Sequence, residues 1–140
     1  MNKQLEDSIE HLEELTNNLP AVPTIENMVK SDSTTRNYVS YDVVKGSIIG
    51  IPIMWDDNMA IQKIFSSAGS EFKTHVHENS IEMVVVISGQ LIIKCEDAEY
   101  VVNPQEIHTM EKNRPHNAIT PVDTWIIAVT IPADEFYPKP

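Results

Sequence analysis

Cysteine is nearly absent from this chain: Cys95 is the single one among 140 residues. That excludes an intrachain disulfide and any zinc site built from several thiolates, and it makes a cytoplasmic location the expectation. Positive charge is scarce too. Ten Lys and Arg stand against 21 Asp and Glu, a formal charge of −11 with a pI near 4.7. This is the wrong sign for following a phosphate backbone or an anionic membrane surface, so neither nucleic acid nor a membrane is an expected partner. Long apolar runs are also missing. Residues 84–87 and 126–129 are among the longest, far short of the roughly 20 that a spanning helix needs. Residues 1–7 (MNKQLED) are acidic and lead into no apolar stretch, so no secretory signal is expected.

What is present is ordinary for a globular chain, 41% hydrophobic and 22% charged, and at this length folding can bury roughly 70% of the unfolded surface in one core. Leu5, Ile9, Leu12, Leu15 and Leu19 recur at three- and four-residue steps with Glu6, Glu10, Glu13 and Glu14 on the other side. This predicts an amphipathic helix over 2–19, ended by Pro20 and Pro23. Residues 24–30 fit a second short helix with Thr24 as N-cap, and 31–45 is a polar connection. After Gly46 the period changes from 3.6 to 2. Short β-branched runs at 47–55, 59–67, 72–77, 82–87, 91–95, 100–102 and 125–131, separated by turn residues, predict an all-β sandwich or barrel. The expected layout is a helical arm and linker over 1–45 and one β domain over 46–140.

Chemistry concentrates in Gly69, His75, His77, Glu82 and Gly89, spaced G-x5-H-x-H-x4-E-x6-G. Residues i and i+2 of a strand face the same way, so an extended 72–77 projects both imidazoles from one face, about 7 Å apart at Cα. Residues 78–81 supply a turn, and Glu82 opens the return strand across from the histidines. The two glycines bracket the unit where the chain must turn tightly. The best candidate for a fourth ligand is His116, in Arg114-Pro115-His116. Three neutral imidazoles and a carboxylate suit one divalent transition metal ion (Fe, Mn, Ni, Co, Cu or Zn), and octahedral geometry leaves two positions for water, dioxygen or a bidentate substrate.

Residues 69–89 (GSEFKTHVHENSIEMVVVISG) resemble the first signature motif of the cupin superfamily, with every defining position filled. Residues 105–120 (QEIHTMEKNRPHNAIT) are similar in register to its second motif, G-x5-P-x-G-x2-H-x3-N. There Gln105, Glu111, Asn113 and Thr120 stand in place of Gly, Pro, Gly and Asn, and the histidine survives as His116. The resemblance, which covers roughly 46–132, implies a jelly-roll (double-stranded β-helix) barrel with His75, His77, Glu82 and His116 converging inside it. It implies no single reaction, because cupins include dioxygenases, decarboxylases, isomerases, lyases, sensors and storage proteins.

Other candidate residues are read more plainly. His108 fits the surface or the barrel wall, and His11 the polar side of the helix. Cys95 alternates with Leu91 and Ile93 and fits the core, while Arg114 fits a surface ion pair. Gln62 or Lys63, His108, Tyr41 and Tyr137 are the polar groups that could move a proton near a metal. The expected function is a metal-dependent enzyme acting on a small organic molecule, oxidative cleavage ahead of decarboxylation, isomerisation or lyase chemistry. The alternative is a non-catalytic small-molecule sensor or binding protein using the same metal. The apolar stripe of the helix needs a partner surface, and a homodimer is the expected assembly.

Overall fold

The computed structural model describes residues 3, 4, 6, 7 and 38–140. The chain divides into two compact units, Met1–Asp32 and Ser33–Pro140. In the first, Lys3, Gln4, Glu6 and Asp7 are helical and exposed. The rest of the helix expected over 2–19, the short helix over 24–30 and His11 lie outside the described residues. The second unit is a jelly roll of eleven strands: β1 Val39–Ser40, β2 Val43–Lys45, β3 Ile48–Trp55, β4 Ala60–Ser66, β5 Ser70–Phe72, β6 Ile81–Ser88, β7 Leu91–Cys95, β8 Glu99–Val102, β9 Ile107–Met110, β10 His116–Thr120 and β11 Thr124–Ile131. They form two antiparallel sheets, ordered β1-β3-β4-β11-β6-β9 and β2-β5-β10-β7-β8.

The two-residue period of the sequence is what separates inside from outside. On β6 Glu82, Val84 and Val86 are buried while Ile81, Met83 and Val85 are only partly so, and on β10 His116, Ala118 and Thr120 are the buried set. The two inner faces enclose a core that includes Ile48, Ile64, Val86, Leu91, Ile93 and Ile126. At about 25 cal/mol per Å² of apolar surface, each such side chain contributes roughly 1.5–3 kcal/mol. Two hydroxyls in this interior pair with each other. Ser66 Oγ and Thr120 Oγ1, both fully buried, lie 2.6 Å apart across the two sheets.

Three features depart from the sequence-based expectation. Two short strands, β1 and β2, stand ahead of residue 46. Two more, β9 and β10, occupy a stretch without a clear apolar alternation: β9 turns Ile107 and Thr109 to solvent, and β10 puts His, Ala and Thr on its inner face. Finally, the strand expected over 72–77 ends at Phe72. Beyond it the pairing with β10 slips by one residue, from Glu71 opposite Ile119 to an isolated bridge of His75 with His116. That bridge is closed by His75 N–H to His116 O at 2.9 Å and His116 N–H to His75 O at 3.0 Å. The slip places His75 directly beside His116, where an unbroken ladder would not.

Gln105 and Asn113 stand where the second motif has glycine, and both adopt the left-handed conformation, with φ 70° and 62°. The loops therefore keep the glycine geometry without the glycine. Each backbone is held by a hydrogen bond, Gln105 N–H to Val86 O at 2.8 Å and Asn113 N–H to His77 O at 2.9 Å. The exposed Gln105 bears the larger penalty, since Asn tolerates this region better. A Gln105→Gly change is expected to stabilise the fold by about 0.5–1 kcal/mol, the left-handed penalty of roughly 1–2 less the extra chain entropy of glycine. The midpoint of urea unfolding reads this directly, and an unchanged or lower midpoint would contradict it.

Candidate functional site

Three elements bring four side chains to one point. The segment after β5 carries His75 and His77, the second residue of β6 is Glu82, and the first residue of β10 is His116. One ligand atom from each lies within 4.8 Å of the other three. The imidazole centroids are 4.4 Å apart for His75 and His116, 5.1 Å for His75 and His77, and 5.4 Å for His77 and His116. His108, by contrast, lies on the barrel wall with its ring 4.4 Å from Tyr100, outside this cluster.

The outer nitrogen of every imidazole faces an oxygen acceptor. His75 Nδ1 is 2.7 Å from Lys73 O, His116 Nδ1 is 2.8 Å from Arg114 O, and His77 Nδ1 is 2.6 Å from Asp134 Oδ2. An acceptor at Nδ1 keeps a proton there, so each Nε2 turns inward as the atom that a metal ion would take, displacing any proton it carries. His77 Nε2 and His116 Nε2 are buried and make no hydrogen bond. They stand 3.2 Å and 3.7 Å from the two oxygens of Glu82. Buried polar atoms without a partner are costly, and two of them converging on a carboxylate is what a cation would relieve. The donor set therefore fits one divalent transition metal ion, which His75, His77, Glu82 and His116 could hold.

Electrostatics follow from the same contacts. Burial opposes charge on His77, but the hydrogen bond to Asp134 and the adjacent Glu82 outweigh it and push the pKa up to about 10. Burial also opposes charge on Glu82, yet His116 and His77 hold its carboxyl well below the usual range. Burial pulls His75 down.

Sequence reasoning missed Asp134, in the segment after β11. Its other oxygen accepts from Phe136 N–H at 2.8 Å, and its own N–H donates to Thr130 Oγ1 at 2.9 Å. An acidic residue between Pro132 and Pro138, two positions from an aromatic pair, is a signal for a structured turn. It says nothing of a histidine 57 positions away. An Asp134→Asn variant is expected to weaken metal binding by roughly 10–100-fold, because an amide can donate to Nδ1 and move the imidazole proton onto Nε2. Competition against a chromophoric chelator measures it, and equal affinity in variant and parent would refute the assignment.

The cluster opens into a cavity of about 350 Å³. Its polar wall is Tyr41, Gln62 and Tyr137. Tyr137 donates to Glu82 Oε2, and Gln62, on the same wall, accepts from Tyr41 at 2.5 Å. Gly50 makes room for this, since a Cβ there would sit 2.3 Å from Gln62 Oε1 and 2.8 Å from the Tyr41 ring. Lys63 is not part of the wall, whereas Phe136, 84% exposed, stands at its edge. Arg114 bonds Asp97 at 3.0 Å near the surface, and Cys95, half-buried, packs on the core.

No helix among the described residues is long and apolar enough to cross a membrane. No curated protein sequence matches this chain. Solved structures with the same fold include a predicted oxalate decarboxylase from Thermotoga maritima, 15% identical over 71% of this chain and 93% of that one with a TM-score of 0.62. An RmlC-like cupin from Shewanella frigidimarina is 18% identical over 71% and 87%, TM-score 0.61. Ectoine synthase from P. lautus is 15% identical over 81% and 78%, TM-score 0.58. The family model described as a cupin domain matches residues 65–131, a span that takes in both motif regions and all four clustered side chains. With an intact first motif, glycine-like backbone at the replaced positions of the second and two jelly-roll sheets around the cluster, residues 65–131 match the cupin domain and the strand-built unit has the fold of the cupins.

Proposed function

We propose that the protein is a metal-dependent enzyme acting on a small organic molecule, with His75, His77, Glu82 and His116 holding one divalent transition metal ion. The observation that carries this reading is Tyr137, a buried phenol donating to the carboxylate that faces His77. Burial and the nearby Glu82 charge raise its pKa well above the ordinary 10, so it keeps its proton at neutral pH. Beside it, Gln62 accepts a hydrogen bond from Tyr41 on the same wall of the cavity. A proton donor within reach of the substrate position is what acid–base chemistry requires.

Bound there, the metal would supply Lewis acidity to a substrate oxygen. The chain's own groups do the rest. Asp134 fixes the His77 ring, the apolar lining from Ile64, Val84 and Ile93 excludes water, and Tyr137 delivers a proton to the carbon or oxygen that becomes basic. Chemistry that needs such a proton (decarboxylation, isomerisation or lyase cleavage) draws on this wall more directly than oxidative cleavage does.

The test compares parent and Tyr137→Phe proteins loaded with Fe(II), Mn(II), Ni(II) or Zn(II). Turnover of small carboxylic acids, diketones and catechols is followed by NMR beside an oxygen electrode. The variant is expected to keep its metal and lose roughly 10²–10⁴-fold in turnover. Stoichiometric oxygen uptake would restore oxidative cleavage as the reaction. Tight ligand binding without turnover in any metal form would favour the sensor reading, which the apolar floor of the cavity equally serves.

A further inference from the structure

We infer that the ligand of this cavity is a small O,O-chelator with at most one negative charge and a short hydrocarbon tail that lies on the barrel floor. The inference rests on the metal-centre reading above and adds the class of molecule that the centre accepts.

The strand period builds the floor. Two positions along β6 from Glu82 is Val84, and two along β10 from His116 is Ala118, whose register partner on β7 is Ile93. Ile64, Leu91 and Ile126 complete the surface. The polar residues next in line, Ser66 and Thr120, are fully buried and satisfied by each other at 2.6 Å. Nothing on this floor can replace the hydrogen bonds that a polyhydroxylated ligand gives up on leaving water, a loss of about 1–3 kcal/mol for each stranded group. A hydrocarbon tail loses none.

Charge sets the other limit. Three carboxylates line the cavity, Asp42, Glu82 and Asp134; Asp42 is paired with Lys73, and the other two balance the two charges of a divalent ion. A monoanionic chelator then leaves the centre with one net negative charge. A dianion leaves two, in surroundings that screen poorly. Lys73 is the one basic side chain among the described lining residues, and its Nζ is held by Asp42 at 2.5 Å. Among the described residues no arginine lines the cavity to clamp a second carboxylate or a phosphate. The volume of about 350 Å³ is at the low end for ligand pockets, which run roughly 300–1,000 Å³. It suits a molecule of on the order of ten non-hydrogen atoms at about 30 Å³ each. Four protein ligands would leave two positions on an octahedral ion, the number that a bidentate head fills.

The experiment is a calorimetric titration of the Ni(II)-loaded protein with acetohydroxamate, butanohydroxamate, hexanohydroxamate and oxalate. Tail length leaves the intrinsic chelating power of a hydroxamate unchanged, so any dependence on it reports the floor. Each methylene is expected to tighten binding about threefold to fourfold, on the order of a hundredfold from two carbons to six. Oxalate, with two charges and no tail, is expected to bind more weakly than acetohydroxamate. Ala118→Phe, or the milder Ala128→Leu at a buried β11 residue that also lines the cavity, fills the floor and should remove the gain with tail length while leaving acetohydroxamate bound. Equal affinity for the three hydroxamates, or oxalate binding more tightly than acetohydroxamate, overturns this inference and leaves the metal centre standing. Failure to take up Ni(II), or a loaded protein that binds no hydroxamate, overturns the metal-centre reading and this inference with it.

Discussion

A Glu82→Gln variant is expected to come through purification with little or no metal, where the parent carries close to one ion per chain by elemental analysis. Glu82 is the only carboxylate in the four-residue cluster, and its two oxygens face His77 Nε2 and His116 Nε2 at 3.2 and 3.7 Å. An amide keeps the shape but removes the charge and offers one weak oxygen. Loss of a group that merely orients a metal ligand costs 10–100-fold in affinity, so loss of the one anionic ligand should cost at least on the order of a hundredfold. The effect extends to folding. The parent should gain stability on addition of metal by mass action, and the variant should show no such rise in melting temperature. A His75→Ala/His77→Ala double variant gives an independent check, since it deletes two imidazoles and leaves the carboxylate. Unchanged metal content in either variant would sink the assignment.

Metal affinity is expected to rise about tenfold per pH unit between pH 7 and 9, with close to one proton released per ion bound. The cause is His77, whose pKa of about 10 means that in the absence of metal its Nε2 carries a proton the ion must displace. The Nδ1 proton shared with Asp134 stays. Stability of the metal-free protein follows the opposite sign. His77 titrates above its ordinary 6.5, so its contribution is complete below about pH 6.5 and is lost as pH rises through about 10. Glu82 and Asp134 are held below their ordinary 4.5 and 3.8, so theirs is complete above about pH 4.5 and is lost as pH falls through the folded values. His75 is held below its ordinary 6.5 by burial, so its contribution is complete above about pH 6.5 and is lost as pH falls through its folded value. The metal-free form should therefore be most resistant to denaturant near pH 6.5, and the loaded form at higher pH. Chelator competition in two buffers of different ionisation enthalpy measures affinity and proton release together. An affinity flat across pH 7–9 would refute the protonated state of His77.

Much of the site was legible because its spacing is local. His75, His77 and Glu82 lie within eight positions, and a hairpin is enough to bring them together. His116 was legible only through the register of a degraded second motif, and the backbone shows why that register holds. Gln105 and Asn113 adopt the left-handed geometry of the glycines they replace, which a residue identity alone does not announce. The strand expected over 72–77 illustrates the reverse case. Period two placed both histidines on one face, whereas the ladder stops at Phe72 and a one-residue slip sets His75 against His116. Slips of this kind depend on the partner strand, which lies 41 positions further along the chain.

The scarcity of cysteine and of positive charge, the change of period after Gly46 and the G-x5-H-x-H-x4-E-x6-G spacing determined the all-β class and the metal-type donor set. These are properties of composition and of neighbours along the chain, and they survive without a fold. What the chain can do with that donor set was decided by packing. Asp134 and Tyr137 meet the cluster from 57 and 55 positions away. Each holds a proton, or positions one, only because two sheets close over them and exclude water. Hydrogen bonds in a shielded interior depend on which atoms the tertiary structure brings within 3 Å, and no period or motif encodes that distance.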